Sequence, residues 1–295
     1  MRAVWTLLRD AYYEWSDDNA PRLGAALSYY TVFSVAPLLI LSIAVVGLVF
    51  GEEAARGQVM GQIRGLVGDQ VAGAVQGMIA SSRDTSSGIL ATLVGLGTLL
   101  FGASGVFTEL QASMNQIWDV PPRPGGVWGL VKGRFFSFAM VLAAGFLLLV
   151  SLILSAALSA VAAYFQYLLP RALSEWAVYG IDLGASLAIF TVLFALMFRV
   201  LPDTRTAWRD VWFGAVATAL LFAIGKTLIG LYLGRSSVTS TYGAAGSLIV
   251  LLLWVYYSAQ ILFYGAELTQ VYARRYGSQA ARGVPVPEQR GVRAA

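Results

Sequence analysis

From Ser236 to Ala266 the chain carries 31 consecutive residues without a charge, more than the roughly 20 a helix needs to cross a hydrocarbon layer of about 30 Å. A transmembrane helix accounts for such a run; a buried helix of a soluble domain does not. The run sits inside a longer stretch, Thr239 to Gly277, that begins small and polar and ends acidic, then basic. Tyr256, Tyr257, Ser258, Gln260 and above all Glu267 interrupt it. A membrane anchor needs none of these polar groups, so they call for a second explanation.

The rest of the chain has the same character. Of its 295 residues 58% are hydrophobic and 12% charged, against about 25% charged in soluble domains. Long apolar runs between short charged loops indicate helices, because a membrane barrel shows segments of about ten residues with alternating polarity. The expected fold is therefore all-α and polytopic. The chain has no Cys and no His, which removes disulfides, thiolate chemistry, iron–sulfur ligation and the commonest general base together. A metal site would have to use carboxylates alone, so neither metal nor cofactor is expected. The formal charge of +4 comes from arginines in loops, which reads as topogenic charge and not as a nucleic-acid site.

In chain order, Trp5, Leu8, Tyr12 and Trp15 recur at helical spacing and predict an amphipathic interfacial helix within residues 1–22. A six-helix transmembrane domain follows over 23–277, then a disordered basic tail over 278–295. Span one, Gly24 to Phe50, contains Pro37, which removes a backbone donor and predicts a kink. Residues 52–84 predict two short amphipathic helices through Val59, Ile63, Leu66 and Val67, then Val71, Val75, Met78 and Ile79. Span two, Gly88 to Thr108, is rich in glycine and suits the centre of a bundle. Span three lies within Phe135 to Leu169, span four is Trp176 to Phe198, span five Val211 to Leu233, and span six is the opening stretch.

With six spans, fourteen Arg and Lys residues fall on the side that holds both termini and five on the other. The positive-inside rule then predicts cytoplasmic termini.

Two groups of polar residues stand out under this topology. Glu109 and Glu267 fall near the cytoplasmic boundary, with Tyr29, Tyr30, Asn115 and Arg199 at comparable depth. They read either as a polar vestibule or as interfacial anchoring with Glu–Arg pairs that fix helix packing. Asp182 in span four and Lys226 in span five fall at matching depth near the outer surface if those spans form a hairpin. They read either as an intramembrane ion pair or as two side chains that each reach the interface.

The runs AALSYYTVFSVAPLL, FGASGVFTELQASMNQIWDV, RVLPDTRTAWRDVWFGAVATALLF and TYGAAGSLIVLLLWVYYSAQILFYGAEL resemble the YihY/BrkB family of bacterial inner-membrane proteins. The resemblance covers about Ala11 to Arg275 and implies six helices in the bacterial cell inner membrane. Members have been labelled ribonuclease BN, tied by name to serum resistance, and considered as transporters. Asp203 and Asp210 are the loop acids a nuclease would have to use, and neither belongs to a ligand cluster. The reading is a non-enzymatic, transporter-like protein that handles lipid or a small amphipathic or charged solute, with membrane lipids as partners. The alternative is a membrane scaffold or envelope-integrity factor.

Overall fold

The structure, a computed structural model, describes residues 2–67, 69–81, 105–121, 171–204, 206–235 and 246–280. Spans two and three, apart from the last turn of span two, and the tail beyond 280 lie outside the described residues. Among the described residues every regular element is a helix. These are α1 (Arg2–Asp17), α2 (Ala20–Phe50), α3 (Glu52–Val67), α4 (Asp69–Ser81), α5 (105–117), α6 (Arg171–Val200), α7 (Trp208–Arg235) and α8 (Gly246–Arg275). Among the described residues three stretches are long and apolar enough to cross a membrane: Leu183–Val200, Trp208–Leu233 and Leu248–Arg275. They fall on spans four, five and six. α2 falls on span one and runs unbroken through Pro37.

α8 is the axis of the described part. It packs against α1, α2, α4 and α7, and its apolar side chains enter all three hydrophobic clusters. The contact with α7 is close because glycine faces threonine twice. Gly214 on α7 meets Thr269, and Gly265 on α8 meets Thr218, so a Cβ at either glycine would overlap the threonine. Both threonines are fully buried and bond back to the carbonyl of the glycine four residues earlier, at 2.7 Å and 2.6 Å. Small residues at a crossing let backbones approach, the usual way membrane helices associate when lipid is as apolar as their side chains.

The predicted amphipathic pair is present as α3 and α4. Val59, Val71, Val75 and Ile79 are buried in a cluster with α2 and with the start of α8. α1 is present as well, and its buried face differs from its aromatic stripe. Leu7 and Ala11 pack on Leu268 and Val271 of α8, while Trp5 and Tyr12 stay more than half exposed. Small side chains let α1 lie close on α8, and the bulky aromatics are left to the outside.

Candidate functional site

Three chain corners meet beside the C-terminal half of α8. The first joins α1 to α2, where Asn19 takes φ 54° and ψ 41°. Asparagine adopts this left-handed conformation more readily than most residues. Pro21 in the first turn of α2 has its ring where no helical donor is lost. The chain thus turns within two residues, and Asp18 is left half-buried at the corner.

The second corner ends α5. Asp119 takes φ 49°, the Val120 amide donates to the Asn115 carbonyl at 2.9 Å, and the Asp119 amide donates to that of Gln116 at 3.0 Å. This is a Schellman closure with aspartate in the place usually held by glycine. Gln116 Nε2 then donates to the Asp18 carbonyl at 2.7 Å. From α8, Gln270 Nε2 donates to Asp119 at 3.2 Å, and Arg274 forms an ion pair with Asp119. The third corner follows α8, where buried Asp210 of α7 accepts from the Ser278 amide at 2.9 Å and from its hydroxyl at 2.6 Å.

Glu267 lies in the middle of this junction with no exposed surface. Neither of its carboxyl oxygens has a donor among the described residues. The group within hydrogen-bonding reach is another acid, Asp18. Glu14 and Asp119 add further negative charge around the pair. Burial raises the Asp18 and Glu14 carboxyls above the ordinary range, and the nearby Arg274 guanidinium pulls both back in part.

Gln260, Glu267 and Arg274 are spaced seven residues apart and so form one seam along α8. The seam faces the start of α2 and its corner, since Gln260 fills the space where a Cβ on Gly24 would sit. Beside its upper part an open groove of about 370 Å³ runs along α7 and α8. Leu221, Ile224 and Leu228 form one wall, Tyr257 and Ile261 the other. Tyr12 and Trp15 of α1 close one end, stacked at 5.8 Å. Tyr264 lines the groove and donates its hydroxyl to the Leu8 carbonyl at 3.0 Å.

The candidate vestibule residues are spread over several settings. Tyr29 and Tyr30 are exposed on α2, with their rings 5.7 Å apart. Glu109 is half-buried on α5, and burial raises its carboxyl above the ordinary range. Asn115 holds Asp203, with Nδ2 donating to the carboxylate at 3.1 Å and Oδ1 accepting from the amide at 2.7 Å. The Arg199 guanidinium lies over the Trp208 ring at 5.9 Å, and no described ion pair joins it to Glu109 or Glu267. The second candidate group is described in part: Lys226 Nζ sits 5.9 Å from the Phe190 ring centre, and the Asp182 side chain lies outside the described residues. Among the described residues no group of three or more acids could hold a metal ion.

Sequence reasoning found Glu267 but not its neighbours Asp18, Asp119, Gln270 and Arg274. The seven-residue recurrence of Gln260, Glu267 and Arg274 was a readable signal, since it predicts a polar seam on an otherwise apolar helix.

Long apolar helices packed through glycine notches, with charges gathered at one end, define a helical multi-span membrane protein. The chain belongs to the BrkB family, since the family profile described as Virulence factor BrkB matches residues 11–289. A UPF0761 membrane protein of Verminephrobacter eiseniae is 26% identical over 90% of this chain and 62% of its own length. One from Pseudomonas aeruginosa is 30% identical over 85% and 59%. One from Rhodospirillum centenum is 27% identical over 89% and 56%. The chain therefore spans about three-fifths of the length of these relatives. No solved structure matches.

Proposed function

We propose that this chain is a non-enzymatic, transporter-like membrane protein that handles an amphiphile, a lipid or a lipid-like solute, at the groove between α7 and α8. The proposed setting is the bacterial inner membrane, with six spans and both termini in the cytoplasm. The observation that carries the reading is the groove itself. Its volume falls within the roughly 300–1,000 Å³ usual for small-molecule sites, and its mouth lies on two helices suited to crossing a membrane.

An apolar groove alone would not hold a lipid, since a tail gains no hydrophobic energy by leaving other tails for leucine side chains. Selectivity must come from the end that is not apolar. There Tyr12, Trp15 and Tyr264 place amphipathic rings, the side chains that settle at a headgroup level. The carboxyl junction lies one helical turn beyond.

The test is photocrosslinking with a diazirine-bearing phospholipid in reconstituted vesicles. Label should concentrate on the α7–α8 groove and fall at least severalfold in Ile224→Trp, which fills it. Even labelling around all lipid-facing helices, unchanged in that variant, would sink the reading. A scaffold role is favoured by one observation: Asp119, Asp203 and Asp210 each tie separate segments together. It predicts even labelling together with loss of folded protein when those ties are cut.

A further inference from the structure

We propose that Asp18 and Glu267 bind one proton between them, and that this proton holds the α1–α2 corner on α8. Glu267 is fully buried and its oxygens meet no donor among the described residues, yet a second carboxyl, that of Asp18, stands within hydrogen-bonding reach. Two carboxylates in contact repel. One carboxylic acid facing one carboxylate makes a charge-assisted hydrogen bond, among the strongest a protein uses.

The surroundings favour the shared proton. Glu14 and Asp17 on α1 and Asp119 after α5 all add negative charge around the pair. Among the described residues the cation acting on Asp18 is Arg274, and its ion pair goes to Asp119. Burial, the largest influence on Asp18, acts in the same direction.

The position of the pair gives the proton a mechanical consequence. Asp18 sits at the end of α1, and α1 touches α8 through small apolar contacts at Leu7 and Ala11, one hydrogen bond from Tyr264, and the Arg275–Asp10 ion pair. Losing the proton places two like charges at the corner and weakens the docking of α1. Tyr12 and Trp15 ride on α1, so the same proton sets the end wall of the groove; that last step rests on the amphiphile reading, while the proton site does not.

The test is hydrogen exchange of the α1 and corner amides in the intact protein, reconstituted in neutral phosphatidylcholine nanodiscs, with each rate divided by the intrinsic rate at that pH. Wild-type protection should be constant at acid pH, then fall by up to about tenfold per pH unit above a midpoint, the limit for one linked proton. In Asp18→Asn and in Glu267→Gln the amide donates to the remaining carboxylate, and protection should be flat. Infrared difference spectra should show a protonated-carboxyl C=O band in the wild type that both variants lack. Should Glu267→Gln fail to fold, Asp18→Asn at the half-buried corner carries the comparison alone.

Flat wild-type protection, or a fall that persists undiminished in the variants, overturns the proposal. The two readings separate cleanly. A pH-dependent fall without groove-specific lipid label keeps the proton site and removes the amphiphile; the label without the fall does the reverse.

Discussion

Replacing Gly265 by alanine tests the packing argument most directly. The added Cβ would lie 2.8 Å from Thr218 Cγ2 and 2.9 Å from its Cβ, and closer still to its hydroxyl. Thr218 has little freedom to yield, because its branched side chain is stiff and its hydroxyl is committed to the Gly214 carbonyl. Overpacking of this kind costs about 1–3 kcal/mol. The control is Gly230→Ala on α7, where nothing lies within 4 Å of the new atom and removal of a helical glycine should add up to about 1 kcal/mol. Gly265 is a helical glycine too, so the propensity gain cancels and the two substitutions should differ by the packing penalty, about 1–3 kcal/mol. Denaturant or thermal unfolding in detergent measures the contrast. Thr218→Ala in the Gly265→Ala background removes two of the three overlapping atoms and should recover part of the loss, giving a coupling energy of about 1–2 kcal/mol. Equal stability of the two single variants, or no coupling with Thr218, would refute the close α7–α8 crossing.

Four further outcomes are expected. Because Asp18 holds its proton more tightly folded than unfolded, its contribution is full below the ordinary value of 3.8 and is lost as pH rises through the raised one; wild-type melting temperature should fall with rising pH in that window, and less steeply in Asp18→Asn. Asp119→Ala strips the partner from Arg274, whose side chain is 9% exposed, and should cost on the order of 2–3 kcal/mol, discounted because Asp119 is itself open to solvent. Asp69→Ala breaks an ion pair exposed on both sides and should cost less than about 1 kcal/mol in the same unfolding assay. At the α1–α2 corner Asn19→Gly should be neutral within a few tenths of a kcal/mol, whereas Asn19→Val should lose about 1–2 kcal/mol, since a branched residue resists φ 54°.

Hydropathy made the long helices legible, and the apolar recurrence through Val59, Val71, Val75 and Ile79 placed α3 and α4. Periodicity also gave α1 through Trp5, Leu8, Tyr12 and Trp15, a stripe expected to meet the membrane surface. It did not give the second face, Leu7 and Ala11 packed on α8, because two residues four apart are too short a recurrence to stand out. Glu267 could be singled out by its cost in an apolar segment. Its partner could not, for Asp18 reaches it only through a corner that depends on the left-handed conformation of Asn19, a conformational choice that hydropathy does not record. Arg199 shows the opposite limit: depth alone placed it with the acids, while the local chain lays it over Trp208.

Seen from the lipid, the seam of α8 has a further meaning. From Gln260 to Arg274 it spans 15 residues, a rise of roughly 21 Å at 1.5 Å per step, or about two-thirds of a hydrocarbon layer. A helix apolar enough to enter a bilayer thus carries a buried polar line along most of that depth. α1 and the start of α2 work as its sheath, one that arrives first as the chain is made and waits for α8. A chain shortened to begin after Asn19 would leave the lower end of that line uncovered, and its defect should show as failed insertion or degradation of α8, at the opposite end of the sequence from the cut.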